Sequence, residues 1–292
     1  MHKPSVLLLF VAFNYLSYPA PSTTTTDSRP SDYQTLVSAE RNFAEFTSKY
    51  GIKAGFTRYL ADEALVVVKG RYQFGKPLYE KMPDQPTVLS WRPVYADIAA
   101  SGDFGYTTGP FEVRPRAVDV PSAFGQFTSV WHKTSTGEWK VVADVGISHP
   151  APNQPAPASL IDLNATIKKP LAVTDTAVSQ KDLLGADAGM RQVASSYSLG
   201  AAYQKVLAPT KAVRLYRTGS QPYVGPAATT FATTQTGRAT YTSVKAITSA
   251  SGDLGFTYGY AQYQQLTGSF LRIWKRDNNR VWKLVHEVAD LH

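Results

Sequence analysis

The chain has 292 residues, of which 43% are hydrophobic and 12% aromatic, with a formal charge of +8 and no cysteine. That composition can fill folded cores and excludes a disordered chain. The missing cysteine excludes disulfides and cysteine-ligated zinc. Lys and Arg are scattered rather than clustered with aromatics, so the charge reads as a solvated surface and no nucleic-acid partner is expected.

His2 and Lys3 precede an apolar run from Val6 to Phe13, and Ser17, Pro19 and Ala20 follow it. This is the pattern of a secretory signal peptide over residues 1–20, and it predicts an exported protein, periplasmic or secreted. The run is too short to span a membrane and is interrupted by Asn14, so no transmembrane segment is expected. Residues 21–30 read as a flexible tether. Ser31 or Asp32 then caps a helix whose apolar face is Leu36, Ala39, Phe43, Phe46 and Tyr50. Gly51 ends it, a short helix carries Ile52, Phe56 and Leu60, and Ala64 to Lys69 reads as a strand. Residues 71–90, with Gly75, Pro77, Pro83 and Pro86, read as irregular. Strands resume at Val94 to Ala99, from Tyr106, at Phe127 to Lys133 and at Trp139 to Val145.

Residues 150–157 contain Pro150, Pro152, Pro155 and Pro157 and have the composition of a semi-rigid linker, assigned to 150–180. Beyond it the pattern starts again. Leu183, Ala186, Met190, Val193 and Tyr197 repeat the first helix at an offset of 147. Residues 101–109 (SGDFGYTTG) return as 251–259 (SGDLGFTYG) at an offset of 150, and Trp131, Trp139 and Lys140 return as Trp274, Trp282 and Lys283 at an offset of 143. The chain is therefore an internal duplication whose loops have drifted. Helices followed by strands predict an α+β fold. The Ser-Gly-Asp stretch reads as a tight turn, with Asp103 a turn-former rather than a catalyst.

The motifs are Ala39-Glu40 with Phe43-Ala44, Gly51 with Gly55-Phe56, Leu60 to Ala64, residues 101–109, and Trp131 with Gly137, Trp139-Lys140 and Asp144. Together they resemble the SnoaL-like, ketosteroid isomerase-like branch of the nuclear transport factor 2-like superfamily, in particular its exported bacterial domains of unknown function. The resemblance implies two tandem cone-shaped domains, 31–149 and a degenerate 181–292. Each would be a curved antiparallel sheet wrapped around N-terminal helices, with a pocket inside. Members commonly pair through the outer sheet face, so it also implies an intramolecular pseudo-dimer of the two repeats.

The superfamily includes isomerases, lyases and members without catalysis, and fold alone does not choose among them. Asp144, on a core strand beside Val and Ala, is the candidate general base, with His132 second. Trp91, Tyr95, Tyr106 and Glu287, the last at the position matching Asp144, are candidate pocket-lining residues. No paired acid–base constellation stands out in either repeat. No metal-ligand spacing, dinucleotide fingerprint, P-loop or nucleophile elbow is present, so no cofactor or metal is expected. The leading expectation is a module binding a small apolar molecule or a partner in a cone pocket. The alternative is a lyase- or isomerase-type enzyme using Asp144.

Overall fold

The computed structural model describes residues 31–162, 175–209 and 213–292. The expected signal peptide, the tether and part of the linker lie outside the described residues. No helix among those described is long and apolar enough to cross a membrane.

Helix α1 (Asp32–Tyr50) starts with a capping box in which Ser31 Oγ accepts from Gln34 N and the Gln34 side chain accepts from Ser31 N. It ends at Gly51, whose φ of 92° suits a residue without Cβ. Helix α2 (Ile52–Tyr59) runs directly into strand β1 (Leu60–Val68), which therefore begins earlier than the apolar run suggests. The stretch read as irregular is ordered: β2 (Arg71–Phe74), α3 (Gly75–Glu80) and β3 (Val88–Trp91) occupy it. Those elements are short, and a four-residue strand leaves too little periodicity to detect. Strands β4 (Tyr95–Ile98), β5 (Phe104–Arg114), β6 (Ala123–Lys133) and β7 (Trp139–His149) complete the first half. Its sheet runs β2-β1-β7-β6-β5-β4-β8, with β3 also on β5 and β8 (Ile161–Asp162) added at the edge.

The second half replays this order with α4 (Thr176–Ser196), α5 (Leu199–Val206), β9 (Arg214–Arg217), β10 (Tyr223–Val224), α6 (Pro226–Thr233), β11 (Ala239–Thr248), β12 (Leu254–Tyr263), β13 (Leu266–Arg276) and β14 (Trp282–Leu291). Its sheet runs β10-β9-β14-β13-β12-β11. Both sheets are mixed rather than purely antiparallel, because β1 pairs β7 and β9 pairs β14 in parallel.

Period-two alternation gives the first sheet two apolar faces. Trp131, Val141, Leu60 and Val66 pack with Leu36, Phe43 and Phe56 of the helices, forming the interior of the first cone. Tyr95, Phe104, Tyr106, Val130, Ala143, Val145 and Ile147 face the other way and join the second half's core. A bulge between Val130 and Trp131 makes this possible, shifting the β6–β7 register so that Val141 faces the helices while Ala143 faces the second half.

The duplicated Ser-Gly-Asp turns meet at this contact. Ala100 N donates to Asp253 Oδ2 at 3.1 Å, and Ala250 N donates to Asp103 Oδ2 at 3.1 Å. Ser101 N donates to Ser251 Oγ at 3.1 Å and Ser251 N to Ser101 Oγ at 3.2 Å, with the hydroxyls 2.8 Å apart. Gly102 and Gly252 take φ of 70° and 63°, which lets each turn fold tightly under its partner. Each aspartate therefore caps the turn of the other copy. Asp103 does more than form its own turn, and only the spatial pairing of the copies exposes this. Phe104 stacks on Phe256, and Lys275 Nζ reaches Asp97 at 2.7 Å, extending the contact.

Candidate functional site

The first cone's interior is floored by aromatic rings. Phe43 lies 5.0 Å from Phe56, 4.9 Å from Tyr59 and 4.8 Å from Trp91, centroid to centroid, and Tyr79 stacks on Phe56 at 4.2 Å. Into this apolar setting α1 inserts Glu40, which is fully buried. Trp91 Nε1 donates to its Oε1 at 2.5 Å, while Trp131 Nε1 (3.0 Å) and Thr107 Oγ1 donate to Oε2. Every one of these donors is neutral, and burial raises the Glu40 pKa despite them.

Asp144 on β7 shares that interior. Its cross-strand neighbour on β6 is Ser129, whose Oγ donates to Asp144 Oδ2 at 2.7 Å. The residue keeps partial exposure. Burial pushes its carboxyl up to about 7; the Ser129 hydrogen bond opposes the rise and the charge of Glu40 adds to it. The Tyr79 phenol lies close enough to feel Asp144 and is pushed above its ordinary range, by burial first, so it remains a proton donor at neutral pH. Two carboxyl groups near one another, without a cation, beside a protonated phenol make a group able to hold or release a proton near neutrality.

The second cone carries the same acid pair in a different setting. Asp187 matches Glu40 and Glu287 matches Asp144, and both are fully buried. Where the first cone has Ser129, the second has Arg272, which is also fully buried. Its Nη1 reaches Asp187 Oδ1 at 3.0 Å and its Nε reaches Glu287 Oε2. A second guanidinium comes from Arg217, which donates to Glu287 Oε1 and, at 2.7 Å, to the Tyr203 hydroxyl. Because Val66 pairs with Asp144 and Leu215 with Glu287, Arg217 takes the place of Val68. Burial alone would raise the Glu287 carboxyl, but Arg272 and Arg217 hold it down at about 2. The guanidinium of Arg272 also lies 4.0 Å from the Tyr241 ring centroid and 4.4 Å from that of Phe270.

Of the expected site residues, Asp144 and Trp91 are brought together around Glu40. His132 is exposed and contacts the edge of Phe104, away from the first cone's acids. Tyr95 and Tyr106 do not line the cone. They point to the other face of the sheet, where Arg214 lies 3.7 Å over the Tyr95 ring and Tyr106 stacks on His286. Their β4 and β5 positions fall on the outward parity of the sheet, which the sequence pattern alone does not assign. Glu287 lines no open pocket, because the two arginines and Tyr203 fill the space around it. His286 donates from Nδ1 to the Arg214 carbonyl and accepts from Thr128, and burial lowers it to about 3, so it is a neutral packing residue. The paired acids that the sequence did not reveal are Glu40 with Asp144. Aligning Ser129 with Arg272 at the offset of 143 was the available clue.

No family model matches the chain, and no curated protein matches it. Solved structures do. A Nostoc punctiforme protein of unknown function with a cystatin-like fold is 12% identical, covering 40% of this chain and 90% of its own, at a TM-score of 0.32. An NTF2-like protein of unknown function from Pseudomonas putida is 15% identical over 42% of this chain and 89% of its own, at 0.34. An NTF2-like protein with a cystatin-like fold from Novosphingobium aromaticivorans is 10% identical over 42% and 84%, at 0.34. The tandem α+β architecture described above stands on this chain's own strand order.

Proposed function

We propose that this is an exported protein whose two domains, 31–149 and 181–292, form an intramolecular pseudo-dimer, and that the first cone binds a small apolar molecule at Asp144. One observation carries the reading: Asp144 is held by a neutral serine and faces an aromatic interior, whereas its counterpart Glu287 is sealed by two arginines. A partly exposed carboxyl with one donor among the described residues is available to a ligand, and a doubly ion-paired one is not. The reciprocal Ser-Gly-Asp contacts support the pseudo-dimer. Under this reading the second cone is a scaffold.

Native mass spectrometry of the purified protein tests it. A retained small molecule is expected, lost in Asp144→Ala and kept in Glu287→Gln if that variant folds. A ligand that survives Asp144→Ala overturns the assignment. A second reading, a lyase- or isomerase-type enzyme, is favoured by the carboxyl poised at about 7 beside a protonated Tyr79. On the identified ligand, Asp144→Asn would then keep binding and lose turnover by about 10²–10⁴-fold. Unchanged turnover would leave binding alone.

A further inference from the structure

The Pro-rich stretch between the halves is fastened at both ends. Arg92 donates to the carbonyls of Pro157 at 2.6 Å and Ala156 at 3.0 Å. Gln221 Nε2 donates to the carbonyls of Pro150 at 3.0 Å and Ala151 at 3.1 Å. Residues 150–157 thus form a strap tied to the first half by Arg92 and to the second by Gln221. Against it lies a cavity of about 770 Å³ that both halves line, within the size range of small-molecule sites. Phe111 and Phe124 border it from the first sheet, Tyr216 and Val224 from the second. Trp91 borders it too, but its indole turns the other way, onto Glu40.

Two buried polar side chains at this cavity, Gln126 and His149, are 6% and 8% exposed. His149 closes β7. A carbonyl oxygen only accepts, so His149 Nδ1 carries the proton in its 2.7 Å contact with Pro150 O. With Nδ1 the donor, Nε2 accepts, and Gln126 meets it with its NH₂ group at 3.1 Å. This fixes the direction of the amide and leaves its Oε1 over. No donor among the described residues bonds to that oxygen. That oxygen is open to the cavity, and a molecule that displaces water from it must bring a donor or leave it unmet.

We propose that this inter-repeat cavity is a small-molecule site, separate from the first cone, for an apolar molecule bearing a hydroxyl group. The hydroxyl donates to Gln126 Oε1 and the apolar body lies along Phe124 and Tyr216 beside the strap. Charge at the site disfavours a cationic body: Arg92, held by the carbonyls of Ala156 and Pro157, borders it, and the bordering carboxylate Glu112 is paired with Arg114 at 2.6 Å.

The probe is 2-naphthol, titrated by its own fluorescence against 2-methoxynaphthalene, which has the same rings and no donor. The full chain is expected to bind 2-naphthol at least about tenfold more tightly, since the methoxy compound leaves the acceptor unmet. Gln126→Leu, shown to be folded by its melting transition, is expected to erase the preference. In the unaltered protein, nuclear Overhauser contacts from 2-naphthol are expected to Phe124 and Tyr216. Equal affinities, no binding of either probe, a preference that survives Gln126→Leu, or contacts to Phe43 and Phe56 instead would each overturn the proposal.

Discussion

The two cones hold carboxyl groups at matching places, Glu40 with Asp144 and Asp187 with Glu287, yet only the second surrounds them with guanidinium groups. Three positions account for the contrast: Ser129 against Arg272 on the sixth strand of the first half and its counterpart, Val68 against Arg217 on the first, and Ala44 against Arg191 on the long helix, where Arg191 reaches Asp187 at 3.2 Å. In the second cone the charges are neutralised in place, so Glu287 falls to about 2 and the interior is an ion-paired core. In the first the acids meet only neutral donors, so the Asp144 carboxyl rises to about 7. One fold, copied once, thus supports an ion-paired acid pair and one held by neutral donors alone. The difference lies in partner charge rather than in burial, because desolvation is the first cause acting on both groups.

The largest expected effect comes from removing the neutralising cation. Arg272→Leu takes away the cation shared by both acids, leaving Asp187 with the half-buried Arg191 and Glu287 with Arg217, and should cost about 3–5 kcal/mol in denaturant unfolding. A loss under about 1 kcal/mol, the scale of an exposed pair, would show that the second cone's ion pairs do not hold it together, and the contrast would collapse. Next in size are the crossed turns. Asp253 also accepts from Ser249 and Ser251 and is nearly buried, so Asp253→Ala should cost about 2 kcal/mol and Asp103→Ala about 1 kcal/mol. Their double-mutant cycle should show coupling, because both turns share the Ser101–Ser251 contact. Strict additivity would mean that the turns act independently.

The pH dependence separates the cones by sign. The raised Asp144 carboxyl contributes stability that is fully present below its ordinary 3.8 and is lost as pH rises through about 7. The depressed Glu287 carboxyl contributes stability present above its ordinary 4.5 and lost as pH falls through about 2. Asp144→Asn should therefore raise stability above pH 7 by about 1–2 kcal/mol, after allowance for its partial exposure, and change little near pH 4. Melting temperatures across that range check it, and an equal change at both ends would contradict a partly buried carboxyl raised for want of a cation. The smallest effect is electrostatic. Glu40→Gln should lower the Asp144 pKa, read by carboxyl ¹³C titration, yet leave it above the ordinary value, since burial is the larger cause.

Much of the fold was legible in the sequence because its signals are local and repeated. The helix face of Leu36, Ala39 and Phe43, the Gly51 stop and the offsets of 147, 150 and 143 required no third dimension. The short elements between Arg71 and Trp91 were lost for want of period, and Tyr79, the phenol beside Asp144, was lost with them. Asp144 was found because a carboxyl on an apolar strand is conspicuous. Glu40 was passed over because, on a helix, it reads as an ordinary polar position until Trp91, Trp131 and Thr107 converge on it from three separate strands.

The sequence by itself determined the copy number, the order of the longer helices and strands, and the turns that define each repeat, since these follow from spacing along one chain. Tertiary structure alone decided which face of each strand looks into a cone, and so moved Tyr95 and Tyr106 out of the site and Glu40 into it. It also decided that the Ser-Gly-Asp turns cap one another and that the proline stretch straps a cavity. The physical reason is that a strand's two faces are equivalent in sequence until packing assigns them, and that a buried charge takes its state from neighbours about a hundred residues away along the chain.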